Sequence, residues 1–196
     1  MTGPEGRSAL AQFLGSDVVR RQWDVRTVQL RCKGSGREQW LFYQQWSQNL
    51  RRWAPNITLI VNDRPDLALF LNTDGVHVGQ DDIPVAVCRA LLGEAGCGKL
   101  VGLSAHTIEQ ATREDVISVC DYIGLGPFFV TATKQTGRPP VDPGYVREIV
   151  QSVTVPVVAV GGITQANMGQ VLATGVKTVA MISGFGEIIR NVRPSL

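Results

Sequence analysis

Arg31 and Lys33 flank a single cysteine in VQLRCK, Lys134 ends the stretch VTATK, and Asp63 and Asp82 each follow a short β-branched run. Cations and carboxylates gathered on one rim are the parts of a metal–diphosphate clamp. Mg²⁺ takes one or two carboxylates and fills its octahedron with phosphate oxygens and water. Singly, each residue has an ordinary role: the cations as solvated surface charges, the two aspartates as N-caps of following helices. Gly161–Gly162 and Ser183–Gly184 close two further runs. Glycine lets backbone N–H groups approach an anion, although a tight strand-to-helix turn uses the same pair. Other polar side chains stand at run ends: Asn62, Ser104, Thr131, Thr133, and Gln29, which alternates by two with Arg31 and Lys33 and so shares their side of an extended segment. One seat for a monophosphate and one for a diphosphate with metal point to group transfer between two phosphorylated small molecules. His77 and His106 read as structural hydrogen-bonding histidines beneath the site rather than as acid–base groups.

Parallel strands must gather these residues. Seven short runs are rich in Val, Ile or Leu on both faces: Val25–Arg31, Ile57–Asp63, Asp74–Val78, Lys99–Ser104, Asp121–Gly126, Val155–Val160 and Lys177–Ile182. Helices are expected between them over Arg37–Trp53, Pro84–Ala95, Thr107–Val119, Pro143–Val153 and Gln165–Thr174, with Pro84 at a first helical position, Thr107 and Thr164 as caps, and Gln110 as the capping-box partner of Thr107. The tryptophans of the first helix fall on one apolar stripe and read as packing. Alternation of strand and helix demands right-handed crossovers. The expected fold is α/β: a compact (β/α)8 TIM-type barrel forming a single domain over residues 1–196, with an open doubly wound sheet as the alternative. Working residues of such barrels emerge at the carboxyl ends of the strands, with phosphate after the last two. The first strand is degenerate or missing. Ala9–Leu14 as a weak strand is preferred, because an unclosed parallel sheet exposes edges; otherwise Ser8–Trp23 is one helix.

Composition removes several classes. Lys and Arg number 19 against 17 Asp and Glu, a formal net charge of +2, which gives no general reason to bind nucleic acid or an anionic membrane. An apolar share of 44% supports a real core and excludes disorder for the whole chain. No run approaches the ~18 apolar residues of a membrane span. The first twenty residues lack the apolar segment of a secretory signal, so a cytoplasmic protein is expected. The four cysteines form no CxxC pair and read as reduced, mostly buried thiols. A homo-oligomer is compatible with all of this.

VQLRCK, VND, DGVHVGQDD, VGLSAHT, DYIGLGPFFVTATK, VAVGGI and VAMISG, in this order and spacing, resemble the thiamine phosphate synthase family from about Val25 to Gly184. That resemblance implies a β/α barrel transferase joining hydroxymethylpyrimidine diphosphate to thiazole phosphate, with Mg²⁺ as cofactor. It implies Arg31, Lys33, Ser104 and Lys134 on the diphosphate, Gln29 and Asn62 on the aminopyrimidine, and Asp63 and Asp82 on the metal. Thr131, Thr133, Gly162, Ile182 and Ser183 would form the thiazole phosphate pocket. Cys32 stands where the family commonly has Glu, and Val130 where proline is common. Two rivals share the barrel: a thiazole tautomerase, for which His106 sits where a base is wanted, and a non-catalytic phosphate-ligand-binding regulator. Neither needs the metal–diphosphate set.

Overall fold

Seven parallel strands lie side by side in chain order: β1 (Thr27–Leu30), β2 (Thr58–Asn62), β3 (Gly75–Val78), β4 (Leu100–Ala105), β5 (Tyr122–Leu125), β6 (Val157–Val160) and β7 (Thr178–Ala180). Helices α1 (Gly36–Trp53), α2 (Pro65–Phe70), α3 (Val85–Leu92), α4 (Ile108–Thr112), α5 (Glu114–Ile117), α6 (Pro143–Ser152) and α7 (Met168–Leu172) fill the crossovers. The chain is seen here in a computed structural model that describes residues 23–93, 98–130, 139–185 and 188. Among the described residues the order of the strands never reverses and no switch point occurs, which excludes the doubly wound alternative. The sheet curls as a half-barrel of TIM type, and among the described residues β1 and β7 are its edges. Ala9–Leu14, and nearly all of Ser8–Trp23, lie outside the described residues.

The two-residue period of the strands separates two faces. Val28 and Leu30, Leu59 and Val61, Val76 and Val78, and Val101 and Leu103 pack with Tyr43, Trp46 and Leu50 of α1 and with Leu67, Val85 and Cys88 beyond. Ile123, Leu125, Val157 and Ala159 pack with Val146 and Ile149 of α6 and Val171 of α7. The intervening residues (Gln29, Ile60, Asn62, His77, Gly102, Ser104, Tyr122 and Gly124) therefore line the concave face. Trp46 is buried and Trp40 meets Phe70 edge-on at 5.0 Å, as expected of packing tryptophans.

At the amino-terminal ends of the strands two arginine–aspartate pairs tie helices to the sheet. Arg51 of α1 donates to Asp74 Oδ1 at 2.7 Å, while Asp74 Oδ2 accepts from the Leu59 amide at 2.6 Å. Buried Arg89 of α3 donates to the Val119 and Lys99 carbonyls and to Asp121, whose Oδ2 also accepts from the Val101 amide at 2.6 Å. Cys88 and Cys120 are buried, and desolvation pushes their thiols up to about 11 and about 12, so both are inert as expected; Cys97 lies outside the described residues.

Several local expectations are corrected. Pro84 is the N-cap of α3 rather than its first residue. The helix expected over Thr107–Val119 is two, broken at Arg113, whose ψ of 131 is extended. Thr107 does cap α4, accepting from the Gln110 amide, but the Gln110 side chain accepts from the His106 amide instead of closing the box. Helix α7 starts at Met168 with Asn167 as its N-cap, because the Thr164 amide donates to Asn167 Oδ1 and holds residues 164–167 in a turn. Helix α2 has no counterpart in the expected set.

Candidate active site at the carboxyl rim

Strand β1 delivers its polar residues by alternation. Gln29, Arg31 and Lys33 are exposed, while Leu30 is buried and Cys32 half-buried. The segment after β1 is pinned from below by Tyr43 of α1, which accepts from the Cys32 amide at 3.2 Å and donates to the Asn62 carbonyl at 3.2 Å. Burial pushes the Tyr43 phenol above its ordinary range. With β1 and β2 in register from Thr27↔Thr58 to Leu30↔Val61, Gln29 and Asn62 meet at the rim, and Gln29 Nε2 donates to Asn62 Oδ1 at 2.8 Å.

Neither aspartate is a helix cap. Arg64 is the N-cap residue of α2 and Pro84 that of α3, and neither of these residues caps its helix with its side chain. Asp63 follows β2 in a left-handed conformation, φ 62, with its amide donating to the His77 carbonyl of β3 at 2.8 Å. Asp82 closes the turn after β3, its Oδ2 accepting from the Gly79 amide at 2.8 Å. Asn62 pairs with His77 in register, so the two carboxylates follow neighbouring strand ends. Two carboxylates from adjacent loops are a donor set that suits Mg²⁺ completed by phosphate and water. Among the described residues no cluster of three or more His, Cys, Asp or Glu could hold a metal by protein ligands alone.

Deeper on the concave face, His77 joins β3 to β4 and β5. Its Nε2 lies 2.9 Å from Ser104 Oγ and its Nδ1 3.1 Å from the Tyr122 hydroxyl, with the two rings stacked at 5.4 Å. Gln80 donates to the Ser104 carbonyl at 2.7 Å. His106 Nδ1 lies 2.7 Å from the Gly126 carbonyl, which can only accept, so the ring proton sits on Nδ1. Both histidines are thus hydrogen-bonded groups within the site's wall, as the sequence suggests. Tyr43 and Tyr122 bond to this rim and concave face without being singled out by the strand-end motifs.

At the far side, Gly161 and Gly162 have φ of 100 and 64. A Cβ on Gly161 would lie 2.7 Å from Pro127 Cα, and one on Gly162 2.9 Å from the Phe129 carbonyl oxygen. Turn geometry and close packing both demand glycine here. The next loop packs directly against this one, since a Cβ on Gly184 would lie 2.4 Å from the Ile163 carbonyl oxygen. Ile182 and Ser183 are exposed beside it. Thr131, Thr133 and Lys134 lie outside the described residues.

Sequential parallel strands, helices on the convex side and polar groups at the carboxyl rim define the class: a TIM-type β/α barrel. The chain belongs to the thiamine monophosphate synthase family, whose model matches residues 16–185. It is 43% identical to a thiamine-phosphate synthase of Chloroflexus aurantiacus over 80% of this chain and 69% of the relative. It is 39% identical to one from Halalkalibacterium halodurans over 81% of this chain and 73% of the relative. The solved thiamine phosphate pyrophosphorylase of Pyrococcus furiosus superposes with a TM-score of 0.74 at 30% identity, covering 95% of this chain and 85% of that one. A 3-hexulose-6-phosphate synthase, at 14% identity and a TM-score of 0.55, shares the fold alone. Among the described residues no helix is long and apolar enough to cross a membrane.

Proposed function

We propose that residues 1–196 form one barrel domain that condenses hydroxymethylpyrimidine diphosphate with thiazole phosphate, yielding thiamine phosphate and diphosphate, as a cytoplasmic transferase of thiamine biosynthesis. The observation that carries the reading is the run of Gln29, Asn62, Asp63, His77 and Ser104 along one rim, in a chain of this family. Carbon–oxygen cleavage releases diphosphate from the pyrimidine methylene, and the thiazole nitrogen then forms the new carbon–nitrogen bond. The electron pair of the broken bond leaves with diphosphate, so the residues need supply no nucleophile.

Arg31, Lys33 and Lys134, with the Ser104 hydroxyl, hold the leaving diphosphate and oppose the charge that builds on it. Asp63 and Asp82 would hold Mg²⁺, which when bound supplies further charge neutralisation at the phosphate oxygens. Gln29 and Asn62 grip the aminopyrimidine edge and fix the ring. Gly162 and Ser183, with Ile182, Thr131 and Thr133, hold thiazole phosphate by backbone and hydroxyl donors, so that the two rings face one another and the reaction becomes intramolecular in effect.

The direct test incubates purified protein with both phosphorylated precursors and Mg²⁺ and follows thiamine phosphate by chromatography. Formation of product and diphosphate in equal amounts is the expected result. Turnover of neither precursor, or thiazole isomerisation without diphosphate release, refutes the reading.

A further inference from the structure

Ser104 has one hydroxyl proton and two claims on it. An anion at the strand ends wants that proton, because phosphate oxygens only accept. His77 Nε2, 2.9 Å away, can take it instead if that nitrogen is unprotonated. Which claim wins depends on the tautomer of His77, and the tautomer depends on what meets Nδ1. Tyr122 meets it, its hydroxyl 3.1 Å from Nδ1.

We infer that His77 is a positioning residue for Ser104, held by Tyr122 in the tautomer that donates from Nε2, so that the Ser104 hydroxyl is committed to the anion bound at the rim. The inference deepens the proposed function and rests on its reading of Ser104 as a diphosphate contact. A phenol can donate or accept, but once an anion takes the Ser104 proton a neutral His77 satisfies both neighbours only by donating from Nε2 and accepting from Tyr122 at Nδ1. A neutral imidazole with Nδ1 accepting carries its proton on Nε2 and donates to Ser104 Oγ. The serine lone pair is then occupied and its O–H turns outward.

The surroundings hold this polarity in place. His77 and Tyr122 stack with ring centroids 5.4 Å apart. Register puts His77, Gly102 and Tyr122 on one level, where Gly102 leaves room for the phenol: a Cβ there would lie 2.1 Å from Tyr122 Cζ. Gly124, opposite Ser104, does the same for the imidazole, with a Cβ 3.0 Å from His77 Cε1. Gln80 fixes the Ser104 carbonyl at 2.7 Å. Ring, phenol and hydroxyl are thereby kept in line, with two glycines making the space.

Two measurements test it on the full chain. ¹⁵N-histidine NMR of the protein saturated with Mg²⁺ and inorganic diphosphate should report His77 as the neutral Nε2–H tautomer. The Nδ1–H tautomer, or a doubly protonated ring, overturns the inference while leaving the proposed function standing. Calorimetric titration of diphosphate in the presence of Mg²⁺ then compares wild type, Tyr122→Phe, Ser104→Ala and the double variant. Each single variant should weaken binding by about tenfold, and the double variant should be no weaker than Ser104→Ala. Equal further weakening by Tyr122→Phe in the Ser104→Ala background shows that Tyr122 acts elsewhere and overturns the inference. Ser104→Ala binding as tightly as wild type removes the Ser104 contact itself, a failure of the proposed function that takes this inference with it. If Tyr122→Phe does not fold, the wild-type tautomer decides.

Discussion

Gln29 Nε2 donates a 2.8 Å hydrogen bond to Asn62 Oδ1 across β1 and β2. That bond uses one N–H of the Gln29 amide and the carbonyl of Asn62, so Gln29 Oε1 and Asn62 Nδ2 form a paired acceptor and donor. An aminopyrimidine edge presents the complement, an amino group beside a ring nitrogen. Gln29→Glu removes the donor that aligns Asn62 and sets a carboxylate against its carbonyl. The expected outcome is a KM for the pyrimidine diphosphate raised by about tenfold, with the KM for thiazole phosphate unchanged. Steady-state kinetics on each substrate checks it, and equal changes in both constants would sink the pairing.

The aspartates separate charge from structure. Asp82→Asn keeps an oxygen able to accept from the Gly79 amide, so the turn after β3 survives while the negative charge goes. Turnover should fall on the order of 100-fold, with the unfolding midpoint in urea unchanged. Asp63→Asn should behave alike, and excess Mg²⁺ should recover part of the loss in either. Wild-type turnover in both variants would remove the carboxylates from the site.

How far the sequence reveals this molecule follows from the range of the interactions involved. Strands β1 to β7 are legible because each lies within a short run rich in Val, Ile or Leu, and the sequential sheet follows from alternation with helices. Helix α2 is not legible: PDLALF is only six residues, too short for a 3.6-residue period to declare itself. The break at Arg113 and the turn at residues 164–167 depend on one backbone angle and one asparagine side chain. Of the site, the strand-end residues could be named from position alone. The contact of His77 with Tyr122 could not, since it needs the registers of β3 with β4 and β4 with β5, which no local pattern encodes.

Tyr43 links folding to pH at the base of the site. Its hydroxyl accepts from Cys32 and donates to Asn62, and burial raises its pKa above the unfolded value of about 10. The folded state therefore holds this proton more tightly than the unfolded state. The stabilisation is fully present below about pH 10 and is lost as pH rises through the folded pKa. Wild type should lose stability to urea faster than Tyr43→Phe across that alkaline window, with the variant less stable at neutral pH by about 1 kcal/mol. Parallel curves for the two proteins would show that the phenol's ionisation is not linked to folding.

Gly102 offers a test of the concave face that leaves every polar group in the chain. An alanine methyl there would lie 2.1 Å from Tyr122 Cζ and 2.5 Å from its hydroxyl oxygen, well inside contact distance. Gly102 pairs in register with both His77 and Tyr122, so neither neighbouring strand can retreat without breaking its ladder. The ring must swing away, which costs its stacking on His77 and forces an off-rotamer side chain. Gly102→Ala should destabilise the fold by about 1–3 kcal/mol, read as a lower urea midpoint. Tyr122→Leu, which removes the obstructing ring, should make the Gly102→Ala cost smaller in a double-mutant cycle. Purely additive effects would mean that the methyl clashes with something other than Tyr122, and that the level shared by His77, Gly102 and Tyr122 is arranged differently.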